Sequence, residues 1–179
     1  MTFSKNWFKS ISKKLYIYRL KDNTISNVEQ RLKIELKFLK LGKRVIVVEP
    51  TNIYGAQVGD DVFIGPFCEI QNETIIGDRS RIQSHTFVCS FVTIGHDCFV
   101  GHGVMFINDT FKSGTPARGN KKLWKHTKIG NNVYIGSNAT ILPVEIHSNV
   151  VIGAGSVVTK DIGAPGIYVG NPAKKIRNL

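Results

Sequence analysis

The sequence predicts a mainly β chain wound as a parallel β-helix, and three observations lead there. The first is a strict period of six. Counting from Val58, every sixth residue is Ile64, Ile70, Ile76, Ile82, Val88, Ile94, Val100 and Phe106. The second is a companion column four places on, made of small or β-branched residues: Val62, Cys68, Thr74, Ser80, Thr86, Val92, Cys98, Val104 and Thr110. The third is glycine directly after the apolar column, as at Gly59, Gly65, Gly77, Gly95, Gly101, Gly130, Gly136 and Gly153. An amphipathic helix repeats at 3.6 and a strand at 2, so neither gives a six. A six-residue repeat is that of a triangular solenoid in which three short strands make one coil. A β-sandwich with chance periodicity would not hold one frame over so many repeats.

The physics assigns each position. The large residue fills the prism, the small one fits where less room remains, and the glycine stands near a tight corner. Eighteen residues then close a coil, and coils stack at about 4.8 Å. The frame breaks after Phe106 and resumes as Ile129, Ile135 and Ile141, then loses one residue and continues as Ile146, Ile152 and Val158. Three inward columns are expected: Val58, Ile76, Ile94, Ile129, Ile146; then Ile64, Ile82, Val100, Ile135, Ile152; then Ile70, Val88, Phe106, Ile141, Val158. Residues of about 112–128 are expected to form a loop inserted at a corner. The expected organisation is a basic helical extension over 1–45, the β-helix over 46–166 and a C-terminal tail over 167–179.

The 179 residues carry a formal net charge of +11, unevenly spread. Residues 1–44 hold 12 Lys/Arg against 3 Asp/Glu, and residues 45–179 hold 12 against 10. Basicity therefore belongs to the first segment. There Phe3, Trp7, Ile11 and Leu15 share one helical face, with Lys5, Lys9 and Lys13 elsewhere around the axis. That pattern suits peripheral contact of residues 1–20 with an anionic membrane, and still better a helix packed on its own protein or a neighbouring subunit. No nucleic-acid module is recognisable, so no nucleic-acid partner is expected. A second helix is expected from about Ser26 to Leu41, stopped by Gly42. Three Cys without a CxxC pair give neither a disulfide framework nor a zinc signature, and no metal is expected. With no signal peptide or membrane-length apolar run in view, a cytoplasmic chain, or one peripheral at the inner membrane face, is expected.

Three C-terminal runs sharpen the reading: Ile135-Gly-Ser-Asn-Ala-Thr-Ile-Leu-Pro, Ile152-Gly-Ala-Gly-Ser-Val-Val-Thr-Lys-Asp, and Val169-Gly-Asn-Pro-Ala-Lys-Lys-Ile-Arg. With the repeat, they resemble the left-handed β-helix hexapeptide acyltransferases, which use acetyl-CoA and are typically homotrimers. Phe99-Val-Gly-His-Gly-Val-Met-Phe-Ile-Asn-Asp-Thr-Phe, followed by Pro116-Ala-Arg-Gly and Trp124-Lys, resembles the members that N-acetylate dTDP-linked 3-amino-3,6-dideoxyhexoses for surface polysaccharide. The resemblance covers about residues 50–179.

What it implies for the site is specific. Acetyl-CoA would lie along a groove between subunits, its backbone contacts mapping onto Ser137 and Ala154, which share a position with Pro66, Ser84 and His102. Thr159 and Lys160 match further cofactor positions, and Asn171, Pro172, Lys174 and Lys175 would meet the nucleotide end, where phosphates favour cations. The acceptor is a nucleotide sugar whose amine attacks the thioester. Asn108 and Asp109 would contact the amino sugar. The proton acceptor would be Asp109, His85, His102 or the departing CoA thiolate. His102, Phe106, Arg118 and Trp124 are the substrate-binding candidates, and the inserted loop is expected to project from the prism toward a neighbouring subunit. The catalytic His that O-acetyltransferases of this superfamily present in an Asn-His-Pro-like stretch is replaced here by Asn108-Asp109-Thr110, which favours an amine over a hydroxyl acceptor. A sugar O-acetyltransferase and a non-catalytic β-helix scaffold are the alternatives.

Overall fold

A computed structural model describes residues 39–179. The amphipathic segment of residues 1–20 and most of the expected second helix lie outside the described residues. Within them the chain winds as a parallel β-solenoid of about seven turns, and its hexapeptide repeats fit a left-handed β-helix.

Among the described residues twenty strands, numbered β1–β20 in chain order, make three faces. The first face holds β1 (Lys40–Leu41), β4 (Gln57–Val58), β7 (Ile75–Ile76), β10 (Val92–Ile94), β13 (Thr127–Ile129) and β16 (Glu145–Ile146). The second holds β2 (Ile46–Val47), β5 (Phe63–Ile64), β8 (Arg81–Ile82), β11 (Phe99–Val100), β14 (Val133–Ile135), β17 (Val150–Ile152), β19 (Gly166–Val169) and β20 (Lys174–Arg177). The third holds β3 (Asn52–Ile53), β6 (Glu69–Ile70), β9 (Phe87–Val88), β12 (Met105–Phe106), β15 (Thr140–Ile141) and β18 (Val157–Val158).

The expected columns are the observed registers. Val58 pairs with Ile76, Ile76 with Ile94, Ile94 with Ile129 and Ile129 with Ile146. Ile64, Ile70, Ile82, Val88, Val100, Phe106 and Ile141 are completely buried, and the remaining column residues nearly so. The small column is buried from Val62 to Val104 but ends there, because Thr110 is exposed in the loop. Its polar members are satisfied by the next coil. Thr74 Oγ1 donates to the Cys89 carbonyl (3.2 Å), Ser80 Oγ to Gly95 (2.8 Å) and Thr86 Oγ1 to Gly101 (3.0 Å). A buried hydroxyl is tolerated where such a partner exists. Glycine follows the column for the expected reason: a Cβ on Gly101 would stand 2.7 Å from the Ser137 nitrogen, and one on Gly136 2.4 Å from that of Ala154.

The corner between the first and second faces is a polar ladder. The side chains of Asp60, Asp78, His96, Asn131 and Ser148 each accept from a backbone N–H of the preceding coil, at Lys43, Asp60, Asp78, His96 and Asn131 in turn. Arg44–Asp61 and Arg79–Asp97 ion pairs run beside it.

Three expected boundaries are corrected. Lys40–Leu41 is a strand on Gln57–Val58, not the end of a helix, so the β-helix begins before residue 46. The inserted loop occupies 107–126, since Thr127 and Lys128 already belong to β13. Residues 167–179 are not a free tail. β19 adds in parallel to β17, and β20 folds back antiparallel upon it. The intervening turn covers the third face, with Ala173 N–H donating to the Val157 carbonyl and Val157 N–H to that of Gly170. Ile162 bridges Ile146 and closes the first face.

Candidate active site along one corner

The corner between the second and third faces gathers the most chemistry. Successive coils place Pro66-Phe67, Ser84-His85, His102-Gly103, Ser137-Asn138 and Ala154-Gly155 in one line. The N–H of His85, Gly103, Asn138 and Gly155 donates in turn to the carbonyl of Pro66, Ser84, His102 and Ser137. The second residue of each pair has φ between 58° and 67°. All three corners contain such residues, so this backbone belongs to the solenoid turn and does not by itself mark a site.

Two imidazoles stand one coil apart on this line. Ser84 Oγ lies 2.8 Å from His102 Nδ1, which fixes the ring and leaves Nε2 outward. When the hydroxyl accepts from Nδ1–H, Nε2 carries the lone pair of a general base. His85 stacks on Phe67, ring centroids 4.9 Å apart, and both are exposed. Below them on the line come Ser137 and Ala154, and the Gly170–Ala173 turn carrying Asn171 and Pro172 packs on the same end of the third face. His85, His102, Ser137, Ala154, Asn171 and Pro172 are therefore brought to one corner region.

Thr159 and Lys160 are not. They leave β18 at the opposite edge of the third face, toward the first. Lys174 and Lys175 lie exposed on β20, facing Val169 and Tyr168 across the hairpin.

That opposite edge also holds the loop. Asn108 Nδ2 donates to the Ser90 carbonyl (3.2 Å), and the Asn108 carbonyl accepts from Lys125 N–H. Asp109 is committed on both oxygens: Oδ1 accepts from Phe111 N–H (3.0 Å) and Oδ2 from Ala117 N–H (2.6 Å). A carboxylate so bonded organises the loop, with one lone pair on each oxygen engaged. Within one chain, then, Asn108 and Asp109 stand across the third face from the histidines.

The loop folds back on its own corner. Trp124 meets Phe91 edge-on at 6.1 Å, His126 lies 4.7 Å from the same ring, and Lys121 pairs with Glu73 at 2.6 Å. Trp124 and His126 have thereby found a partner inside the chain. Arg118 is exposed at the loop's outer turn. Phe106 is corrected as a substrate contact. It is completely buried in the third column, and its exposed neighbour Met105 takes the outward position. Ser84 was missed as a functional residue, although its place one coil before His102 was visible in the column map.

Charge divides along the axis. Residues 45–106 hold two Lys/Arg against seven Asp/Glu, and residues 107–179 hold ten against three. The coils carrying Ser137 and Ala154 belong to the basic half.

Two repeat models match, the bacterial transferase hexapeptide (six repeats) over residues 55–90 and the hexapeptide repeat of succinyl-transferase over residues 126–160. The chain carries hexapeptide repeats of these kinds over those two stretches. Among curated proteins it is similar to the bifunctional protein GlmU of Dichelobacter nodosus, 33% identical over 146 residues that make up 76% of this chain and 31% of that protein. The chain thus spans just under a third of the curated relatives it matches first. Among solved structures it is similar to a point mutant of AntD, an N-acyltransferase from Bacillus cereus in complex with dTDP and coenzyme A. That match has a TM-score of 0.70, 24% identity, and covers 84% of this chain and 89% of that one. It is similar also to a mutant of perosamine N-acetyltransferase from Caulobacter crescentus in complex with CoA and GDP-perosamine. There the TM-score is 0.63 and the identity 20%, covering 75% and 57%. At these identities the likeness is one of fold.

Proposed function

We propose that the chain is an acetyl-CoA-dependent N-acyltransferase that acylates the amino group of a nucleotide-linked amino sugar. The observation that carries the reading is the Ser84-oriented His102 on the same corner line as Ser137 and Ala154. The ligands bound in the structural neighbours, CoA beside dTDP or GDP-perosamine, support the substrate class. The basic half of the solenoid suits the phosphates of CoA.

In the reaction the neutral amine attacks the thioester carbonyl. A C–N bond forms, the C–S bond breaks, and the electron pair leaves on sulfur. The ammonium proton passes to His102 Nε2 and on to the thiolate, whose ordinary pKa of about 8.5 lets it accept. We place the acceptor beside His85 and Phe67, and take it to be a dTDP-linked 3-amino-3,6-dideoxyhexose destined for surface polysaccharide. The working unit is a homotrimer, for which the outward row of the second face, with Ile46 and Phe99 38% exposed and Tyr134 47%, offers apolar surface. The enzyme works in the cytoplasm, with residues 1–20 as a peripheral membrane contact.

The test is CoA thiol release from acetyl-CoA against dTDP- and UDP-linked amino sugars and their hydroxyl analogues. Release with amino sugars alone is expected, and release with hydroxyl acceptors alone would move the assignment to O-acylation. His102→Asn should lower kcat by about 10²-fold or more. Ser84→Ala, losing one orienting hydrogen bond of about 1 kcal/mol, should lower it about fivefold. Asp109→Asn should leave the shape of the pH profile intact. An unimpaired His102→Asn together with an acidic limb lost in Asp109→Asn would return the proton to Asp109.

A further inference from the structure

We infer that the inserted loop builds a diphosphate-binding recess. Lys112, Ser113, Lys122, Leu123, Lys125 and Asp109 line a cavity of about 280 Å³. These residues come from both arms of the loop, which the Lys125 N–H to Asn108 carbonyl bond and the Ala117 N–H to Asp109 Oδ2 bond (2.6 Å) hold together.

Three ammonium groups therefore line one concavity. The sole carboxylate there, Asp109, accepts from the Phe111 and Ala117 amides, and its one negative charge is outnumbered by the three lysines. Among the described residues the Lys and Arg ion pairs are Arg44–Asp61, Arg79–Asp97 and Lys121–Glu73, and none includes Lys112, Lys122 or Lys125. The loop as a whole, residues 107–126, holds five Lys/Arg and one Asp, on a body whose other residues from 45 onward hold seven against nine. Three like charges gathered around a single carboxylate leave an excess of positive charge that costs free energy unless an anion joins them. Two adjacent phosphates match three lysines better than one carboxylate would. Arg118, one of the substrate-binding candidates, does not line the recess.

The anion site stands on this geometry alone. The bearer of the diphosphate rests on the acyl-transfer reading, which supplies two sources: the nucleotide of the acceptor and the adenosine diphosphate of CoA.

The experiment is titration calorimetry with inorganic pyrophosphate on the full-length protein. The variants are K122Q/K125Q and a control, K43Q/K128Q, that removes the same charge elsewhere. Binding by the wild type, weakened at least tenfold in K122Q/K125Q and less than twofold in the control, is expected. No binding, or equal weakening in both variants, overturns the proposal. Matching titrations with dTDP, CoA and 3′-dephospho-CoA identify the source by which affinity K122Q/K125Q lowers. If pyrophosphate binds here while no acceptor yields CoA thiol, the recess stands and the acyl-transfer reading falls. If thiol is released and pyrophosphate ignores the recess, the reverse holds.

Discussion

Replacing Phe106 separates a core role from a site role more sharply than any other single change. The ring is fully buried, pairs in register with Ile141 and shares its column with Val88. Phe106→Ala deletes a buried aromatic and leaves a cavity that neighbouring coils can only partly close, at a cost of about 3–5 kcal/mol. For a chain of this size each kcal/mol lowers Tm by about 2–4 °C, so a fall of roughly 10 °C is expected. Phe106→Ile gives this coil the residue its neighbours already use and should cost only about 1–2 kcal/mol, one or two methylene equivalents. Because a solenoid coil touches only the coils beside it, Phe106→Ala should also broaden the transition and lower the urea m-value as the two halves uncouple. The assay is thermal and urea unfolding by circular dichroism, with acyl-transfer kinetics on the Ile variant. A loss of kcat/KM above tenfold in Phe106→Ile with Tm held within about 2 °C would refute the core reading and restore Phe106 as a substrate contact.

Two further outcomes follow from buried groups. Thr127 is 1% exposed, sits in register with Val92 and has no hydrogen-bond partner for its hydroxyl among the described residues. Thr127→Val should stabilise the chain by about 1 kcal/mol by removing an unmet desolvation cost, and a lower urea midpoint would contradict this. Burial pushes the thiols of Cys68 and Cys98 up and that of Cys89 to about 12. The stability tied to the protonated Cys89 thiol is then present below its unfolded value of about 8.5 and lost as pH climbs toward the folded one. At pH 8 an aromatic disulfide reagent should modify none of the three thiols in the native chain and all three in denaturant. Stoichiometric reaction of the native chain would show that the prism opens more readily than its packing allows.

The prism was legible because its cause is periodic. One large residue in six reports a corner wherever it falls, and even the inserted loop showed itself as a break in the frame. The same frame placed Phe106 inside, and it outweighed the resemblance that placed the residue in the site. What stayed hidden depends on partners rather than period. Leu39 and Leu41 extend a helical stripe as readily as they start a strand, and only the pairing of Lys40–Leu41 with Gln57–Val58 decides between them. Lys-Lys-Ile-Arg at 174–177 lacks strand alternation, yet it pairs because β19 leaves an open edge. The commitment of Asp109 is settled by two amide hydrogens whose directions a sequence does not record. By contrast, the alignment of His85, His102, Ser137 and Ala154 was readable, since a corner repeats with its coil.

The C-terminal end of the prism is sealed on all three faces, by Ile162, by the β19–β20 hairpin and by the turn over Val157. A solenoid edge is otherwise a template, since its last coil offers the same unpaired backbone that each inner coil uses to seat the next. Here the antiparallel reversal of β20 offers the wrong direction for another parallel strand. Copies of this chain are thereby barred from threading head to tail into a fibre, and the rod has a fixed length at that end. The flanks keep outward apolar side chains instead, with Ile46, Phe99 and Tyr134 exposed along the second face.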